Sequence, residues 1–188
     1  MGRGAVGLAT VLPDNQTAYI SDDGTNGGLL MFKADKKGDL SAGQLYAAKW
    51  VQRSDDGVGA ADLAWIDLGH ADDATIATAI KSGTTFSDLF ETAAIVDNGS
   101  CPEGFLASNA EGRAECLRVR PGMEAAASRV ETHRYASMMG ATREFRKMEG
   151  STYDPDRHVL YLSMSEVTKG MTDRNKHDLG GRNDMALK

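Results

Sequence analysis

The residues that could do chemistry fall in two short stretches. One is Arg146-Lys147-Met148-Glu149-Gly150, where two cations and a carboxylate crowd the head of an apolar segment. The other is Asp22-Asp23-Gly24-Thr25-Asn26-Gly27, dense in carboxylate and glycine. Hard carboxylate oxygens suit calcium, and a multi-metal site can clamp both the attacking and the leaving oxygen of a phosphate. Gly150 next to Glu149 leaves the backbone uncrowded for close approach to a metal; an ion pair from Glu149 to Arg146 or Lys147 is the alternative. Asp22 and Asp23 have the composition of a calcium loop, without the spacing or the terminal glutamate of an EF-hand. A solvated turn whose aspartates bond nearby amides is the alternative there. Arg146 and Lys147 can both hold anions, but adjacent strand residues point to opposite faces, so at most one of them serves a given site.

The remaining reactive side chains carry less. Cys101 and Cys116 close a loop of roughly fifteen residues, which as a disulfide is worth about 3 kcal/mol in an oxidising compartment. Two free thiols in a reducing compartment fit the same spacing. No second Cys or His pair has the spacing of a zinc site. His70, His133, His158 and His177 are scattered and read as structural or solvent-exposed. Ser163 and Ser165 have no recognisable base nearby, which leaves a serine nucleophile unsupported.

The elements that must position these residues are mostly strands. Residues 141–167 read as strand, turn and strand: Tyr153-Asp154-Pro155-Asp156 turns the chain, and residues 158–164 alternate with the period of a packed sheet. Earlier, residues 2–12, 17–21, 29–34 and 43–50 read as four short strands with turns between them, a meander. About 45 residues for four strands is the size of a propeller blade. Residues 52–59 read as a polar loop and 61–68 as a strand. A helix follows, capped by Asp72 or Asp73, with Ile76, Ala77 and Ile80 on one face and Gly83 at its end. Residues 97–121 read as an irregular Cys-containing loop, and 123–139 as one helix with a solvated outer face, ended by Gly140. The order is therefore propeller blade or blades over 1–69, helical insert over 70–140, and a further blade with a polar tail over 141–188.

The 188 residues carry a net charge of −6 and no basic stripe, which argues against a nucleic-acid surface. The longest apolar runs are far below a membrane span, and no signal peptide is legible in the chain. The 21 glycines and few aromatics fit a turn-rich, mainly β protein. A propeller of about 4–8 blades needs more chain than this. The expectation is part of a larger β-propeller with a helical insertion, its open sheet edges covered by the remainder of the propeller or by a partner subunit.

Two long stretches, TAYISDDGTNGGLLMFKADKKGDLSAGQLYAAKW and ATREFRKMEGSTYDPDRHVLYLSMSE, resemble the PhoX-type alkaline phosphatases and their uncharacterised relatives. The likeness covers residues 2–50 and 142–183. It implies a six-bladed propeller, usually exported to the periplasm, the outside of the cell or an organelle lumen, with a calcium–iron cluster that hydrolyses phosphomonoesters. By this resemblance Glu149 ligates the cluster, Asp23 and Asp22 match an acidic calcium ligand, and Lys147 stands where the family places a phosphate-holding arginine, with Arg146 beside it. Lys147 would then share a face with Glu149 while Arg146 points away. Lysine neutralises phosphate but lacks the bidentate fork. Gly7 falls where the family commonly carries a metal-binding glutamate, so one ligand is missing. Cys101 and Cys116 do not match the family's iron-binding cysteine. Two functions follow: a metal-dependent phosphomonoesterase, in which Lys147 steadies a phosphomonoester substrate, or a catalytically inactive propeller kept as a binding or structural subunit of a larger assembly.

Overall fold

Alternating apolar residues in the first third of the chain assemble one antiparallel sheet. In the computed structural model, which describes residues 1–57, 59–97, 99–172 and 184–188, the strands are β1 (Val6–Val11), β2 (Thr17–Asp22), β3 (Thr25–Gly27), β4 (Leu30–Lys36), β5 (Asp39–Ser54) and β6 (Ala60–Asp72). Five of them form the sheet in the order β1-β2-β4-β5-β6. Register decides which side chains meet: Ile20 faces Leu30 and Leu30 faces Ala47, while Ala18 faces Phe32 and Phe32 faces Leu45. Because side chains alternate across a strand, these residues line one face, and all of them are buried.

The chain then covers that face. Asp72 caps α1 (Asp73–Lys81) by accepting from the Thr75 amide at 2.7 Å. Thr85 and Asp88 form a capping box for the one-turn α2 (Phe86–Leu89). A three-stranded sheet follows, β7 (Phe90–Ala93), β8 (Leu106–Ser108) and β9 (Glu115–Val119), in the order β7-β9-β8. Cys101 and Cys116 are joined by a disulfide across this unit. Two helices, α3 (Glu124–Val130) and α4 (Thr132–Met138), lay Ala126, Ala127, Tyr135, Ala136 and Met138 into a single core with Phe32, Leu45, Leu68, Leu89, Phe90 and Leu117. Residues 1–69 and 70–140 thus share one hydrophobic cluster.

The last part of the chain builds a second cluster. β10 (Phe145–Arg146) pairs with β3, and β11 (Met148–Asp154) pairs with β12 (Val159–Met164). Phe145, Met148, Met171, Met185 and Leu187 pack with Leu29 and Ala48, against Trp50 and Trp65. The protein is mainly β, and among the described residues its sheets stay open, closing into neither a barrel nor a propeller.

The structure departs from the sequence reading at several points. The expected loop over 52–59 begins late, because β5 continues to Ser54 by pairing with β6. Residues 97–121 are less irregular than expected, because β8 and β9 pair with each other and with β7. The single helix expected over 123–139 breaks at Glu131, with φ −123 and ψ 48. The Arg129 carbonyl there accepts from the Arg3 amide at 3.0 Å and the Thr132 hydroxyl at 3.1 Å. The solvated face expected on that helix is instead buried through Ser128, Arg129 and Thr132. Residues 141–144 are not strand, since β10 starts only at Phe145. Ile80 is exposed and Ala79 packs on the core in its place. The expected polar tail lies partly outside the described residues, with His177, while Met185 and Leu187 are buried.

Replacing both cysteines by alanine is expected to lower the unfolding free energy by about 3 kcal/mol, the loop entropy the disulfide removes. Urea unfolding of the oxidised protein and the double variant reads this difference, and equal stabilities contradict it.

Candidate functional site

The two predicted acidic residues, adjacent in sequence, meet different fates. Asp22 ends β2 pointing inward and is 5% exposed. Its Oδ1 accepts from the Gly24 amide at 3.0 Å, and its Oδ2 from the Gly28 amide at 3.3 Å. Oδ2 also receives Arg143 Nη2 at 2.9 Å and lies 3.2 Å from His133 Nε2. Arg143 is itself 5% exposed. Two buried groups of opposite charge therefore neutralise each other across 121 residues of chain. Burial depresses the Arg143 guanidinium and Asp22 opposes that shift. His133 is pushed down to about 4, first by burial and next by the Arg143 charge, against the pull of Asp22 and Glu111. It is a neutral imidazole at pH 7.

Asp23 points the other way and is half-exposed, although its Oδ1 is buried and makes no hydrogen bond. Lys147 Nζ lies 3.8 Å from Asp23 Oδ1 and 3.4 Å from Glu149 Oε1, and the Ser165 hydroxyl donates to Glu149 Oε2 at 2.5 Å. The bonds from Ser165 and Lys147 hold the Glu149 carboxyl below its usual range. Lys147 reaches this position from a left-handed backbone, φ 43, between β10 and β11, pinned by its amide to the Gly24 carbonyl at 3.0 Å. Arg146 lies apart and pairs with Glu166 and Thr25. The expected geometry is therefore present: Lys147 and Glu149 come together with Asp23, and Arg146 does not join them. Glu149 is nevertheless half exposed, its side chain at 48%.

Gly7 sits beside this cluster. A Cβ built on it would lie 3.5 Å from the Glu149 Cα and only 2.5 Å from the Met148 carbonyl oxygen. Position 7 is thus next to Glu149 in space, but it contributes no ligand and a side chain there collides with backbone.

The donor set does not fit a calcium–iron cluster. Asp22 is occupied by Arg143, His133 and two amides, while Asp23 and Glu149 share Lys147. Both cysteines are in the disulfide. Among the described residues no three His, Cys, Asp or Glu side chains are grouped to hold a metal ion. Two carboxylates around one ammonium also leave the Lys147 cluster net negative, which disfavours a phosphate there.

The sequence reading missed Arg143 and Arg129, and it named His133 only as structural or solvent-exposed without its partner Asp22. Arg129 Nη2 donates to the Gly43 carbonyl at 3.1 Å and the Gly69 carbonyl at 2.8 Å, fastening α3 to the sheet. A usable signal was present for Arg129: an arginine inside an otherwise small or apolar run, Ala-Ser-Arg-Val, needs a buried partner, whereas Arg143 stands beside Glu144 and shows no such signal. No protein-family model, curated protein or solved structure matches the chain.

Two outcomes follow from the buried pair. Arg143→Met leaves Asp22 charged without its partner and is expected to cost about 3–5 kcal/mol; adding Asp22→Asn restores a large part of it, as double-variant unfolding will show. The second concerns pH. The folded His133 titrates near 4 and the ordinary value is 6.5. Between these values the unfolded chain binds the proton that the folded chain refuses, so stability falls as pH drops from 6.5 towards 4. A His133→Asn variant is expected to lose that slope in unfolding measured across this range.

Proposed function

We propose that this chain is a β-propeller module of the PhoX phosphatase lineage that serves as a binding or structural element and does not hydrolyse phosphomonoesters. The observation that carries the second half is the position of Lys147. Its ammonium lies between Asp23 and Glu149, the two carboxylates the lineage would spend on metal. The closeness of Gly7, Asp23, Lys147 and Glu149 supports the lineage, since residues far apart in sequence converge as the resemblance requires. The outer edge of β6 and the free edge of β12 pair with no strand among the described residues, which supports further blades or a partner subunit there. The disulfide supports an oxidising, exported location.

Purified protein is expected to release no p-nitrophenol from p-nitrophenyl phosphate above the blank with added calcium and ferric ions. Elemental analysis is expected to find no stoichiometric iron. Metal-dependent turnover that disappears in Glu149→Gln overturns the reading and restores the phosphomonoesterase.

A further inference from the structure

The Lys147 cluster holds an amine and two carboxyl groups together from several sides. The Lys147 amide donates to the Gly24 carbonyl at 3.0 Å, and its carbonyl accepts from the Ser165 amide at 3.2 Å. Next to Gly24, the Asp23 amide donates to the Ala5 carbonyl at 2.7 Å. Glu149 is fixed in turn by the Ser165 hydroxyl. These bonds keep Lys147 Nζ 3.8 Å from Asp23 Oδ1 and 3.4 Å from Glu149 Oε1. Glu149 is also within hydrogen-bond reach of the Asp23 carboxyl.

Asp23 Oδ1 is the atom this arrangement leaves unsettled. It is buried and accepts no hydrogen bond, with the Lys147 charge beside it. A charged oxygen without a donor is costly in that position, and the carbonyl oxygen of a neutral amide costs less. Amide formation with Lys147 converts one into the other and removes both charges. Between free groups in water hydrolysis wins. Groups held in reacting positions gain effective molarities of about 10⁵–10⁸ M, far above that of water itself, which favours condensation.

We propose that Lys147 and Asp23 join in an isopeptide bond, with Glu149 carrying the protons. Glu149 takes one proton from the Lys147 ammonium and passes it to Asp23. The neutral amine attacks Asp23 Cγ and forms the C–N bond. Glu149 then moves a second proton from nitrogen to the solvent-side oxygen, whose C–O bond breaks, and water leaves. Oδ1 stays behind as the amide carbonyl, and nothing is oxidised or reduced. The product staples the β2–β3 turn to the junction of β10 and β11. The bond rests on Asp23 and Glu149 being free of metal. An unmodified mass removes the bond and leaves that reading, which turnover tests, intact.

The intact mass of the purified full chain reads the bond directly: it is expected about 18 Da, one water, below that of the disulfide-bonded sequence. Tryptic peptides 4–33 and 147–157 are expected as one joined species, uncut after Lys147. Lys147→Arg, which keeps the charge, and Glu149→Gln are both expected to show the full mass with an unchanged circular dichroism spectrum. Lys147→Arg also separates the bond from ring closure at Asp23-Gly24, which loses the same water without a lysine. A wild-type chain that keeps its full mass after prolonged incubation overturns the proposal. So does a water loss that persists in Lys147→Arg.

Discussion

A carboxylate inside a protein has to be neutralised where it sits, and the packing around Asp22 is arranged to do so. Two of the groups that reach it are local, the Gly24 and Gly28 amides, and two come from distant parts of the chain, His133 on α4 and Arg143 just before β10. This contact joins the end of β2 to the helical layer and to the segment that leads into the last hairpin. Arg129 repeats the device at the far side of the sheet by binding two carbonyls of β5 and β6. Apolar packing supplies most of the cohesion, but it is indifferent to direction. The buried ions decide how the layers are registered.

The elements most legible in the sequence are those with a local cause. The β11–β12 hairpin follows from Pro155 and the alternation of β12, although its turn lies over residues 155–158 and not 153–156, because Tyr153 and Asp154 still pair with Leu160 and Val159. The start of α1 follows from Asp72 and its bond to Thr75. Where the cause is distant, local reading fails. β8 is three residues long and exists because Leu106 and Ser108 find Leu117 and Glu115. The break at Glu131 depends on an amide from Arg3, more than a hundred residues away in the chain. His133 carries no motif of its own, and only the fold brings it to Asp22.

The candidate site was less legible. Lys147 and Glu149 come together as strand alternation would place them, but the cause is different: Lys147 sits in a left-handed kink between β10 and β11 and the register shifts at Glu149, neither of which was readable. That Asp22 turns inward while Asp23 stays half-exposed was not readable either, because composition cannot say which of two neighbouring aspartates a strand end will bury. The acidic character of the Asp22-Asp23 loop is spent twice: once on a buried guanidinium and once on a surface ammonium. Asp22 is left with no open coordination for a hard cation, whereas Asp23 Oδ1 is buried with only the Lys147 charge, at 3.8 Å, beside it.

Gly28 marks how tightly the guanidinium is housed. A Cβ placed there would come within 2.1 Å of Arg143 Nη1. Positions 28 and 143 are therefore bound to a common history: a side chain at 28 evicts the arginine, and only a lineage that had already surrendered the arginine could accept one. Relatives of this chain should change at both positions or at neither, and that paired drift would register the salt bridge in sequences whose structures have never been seen.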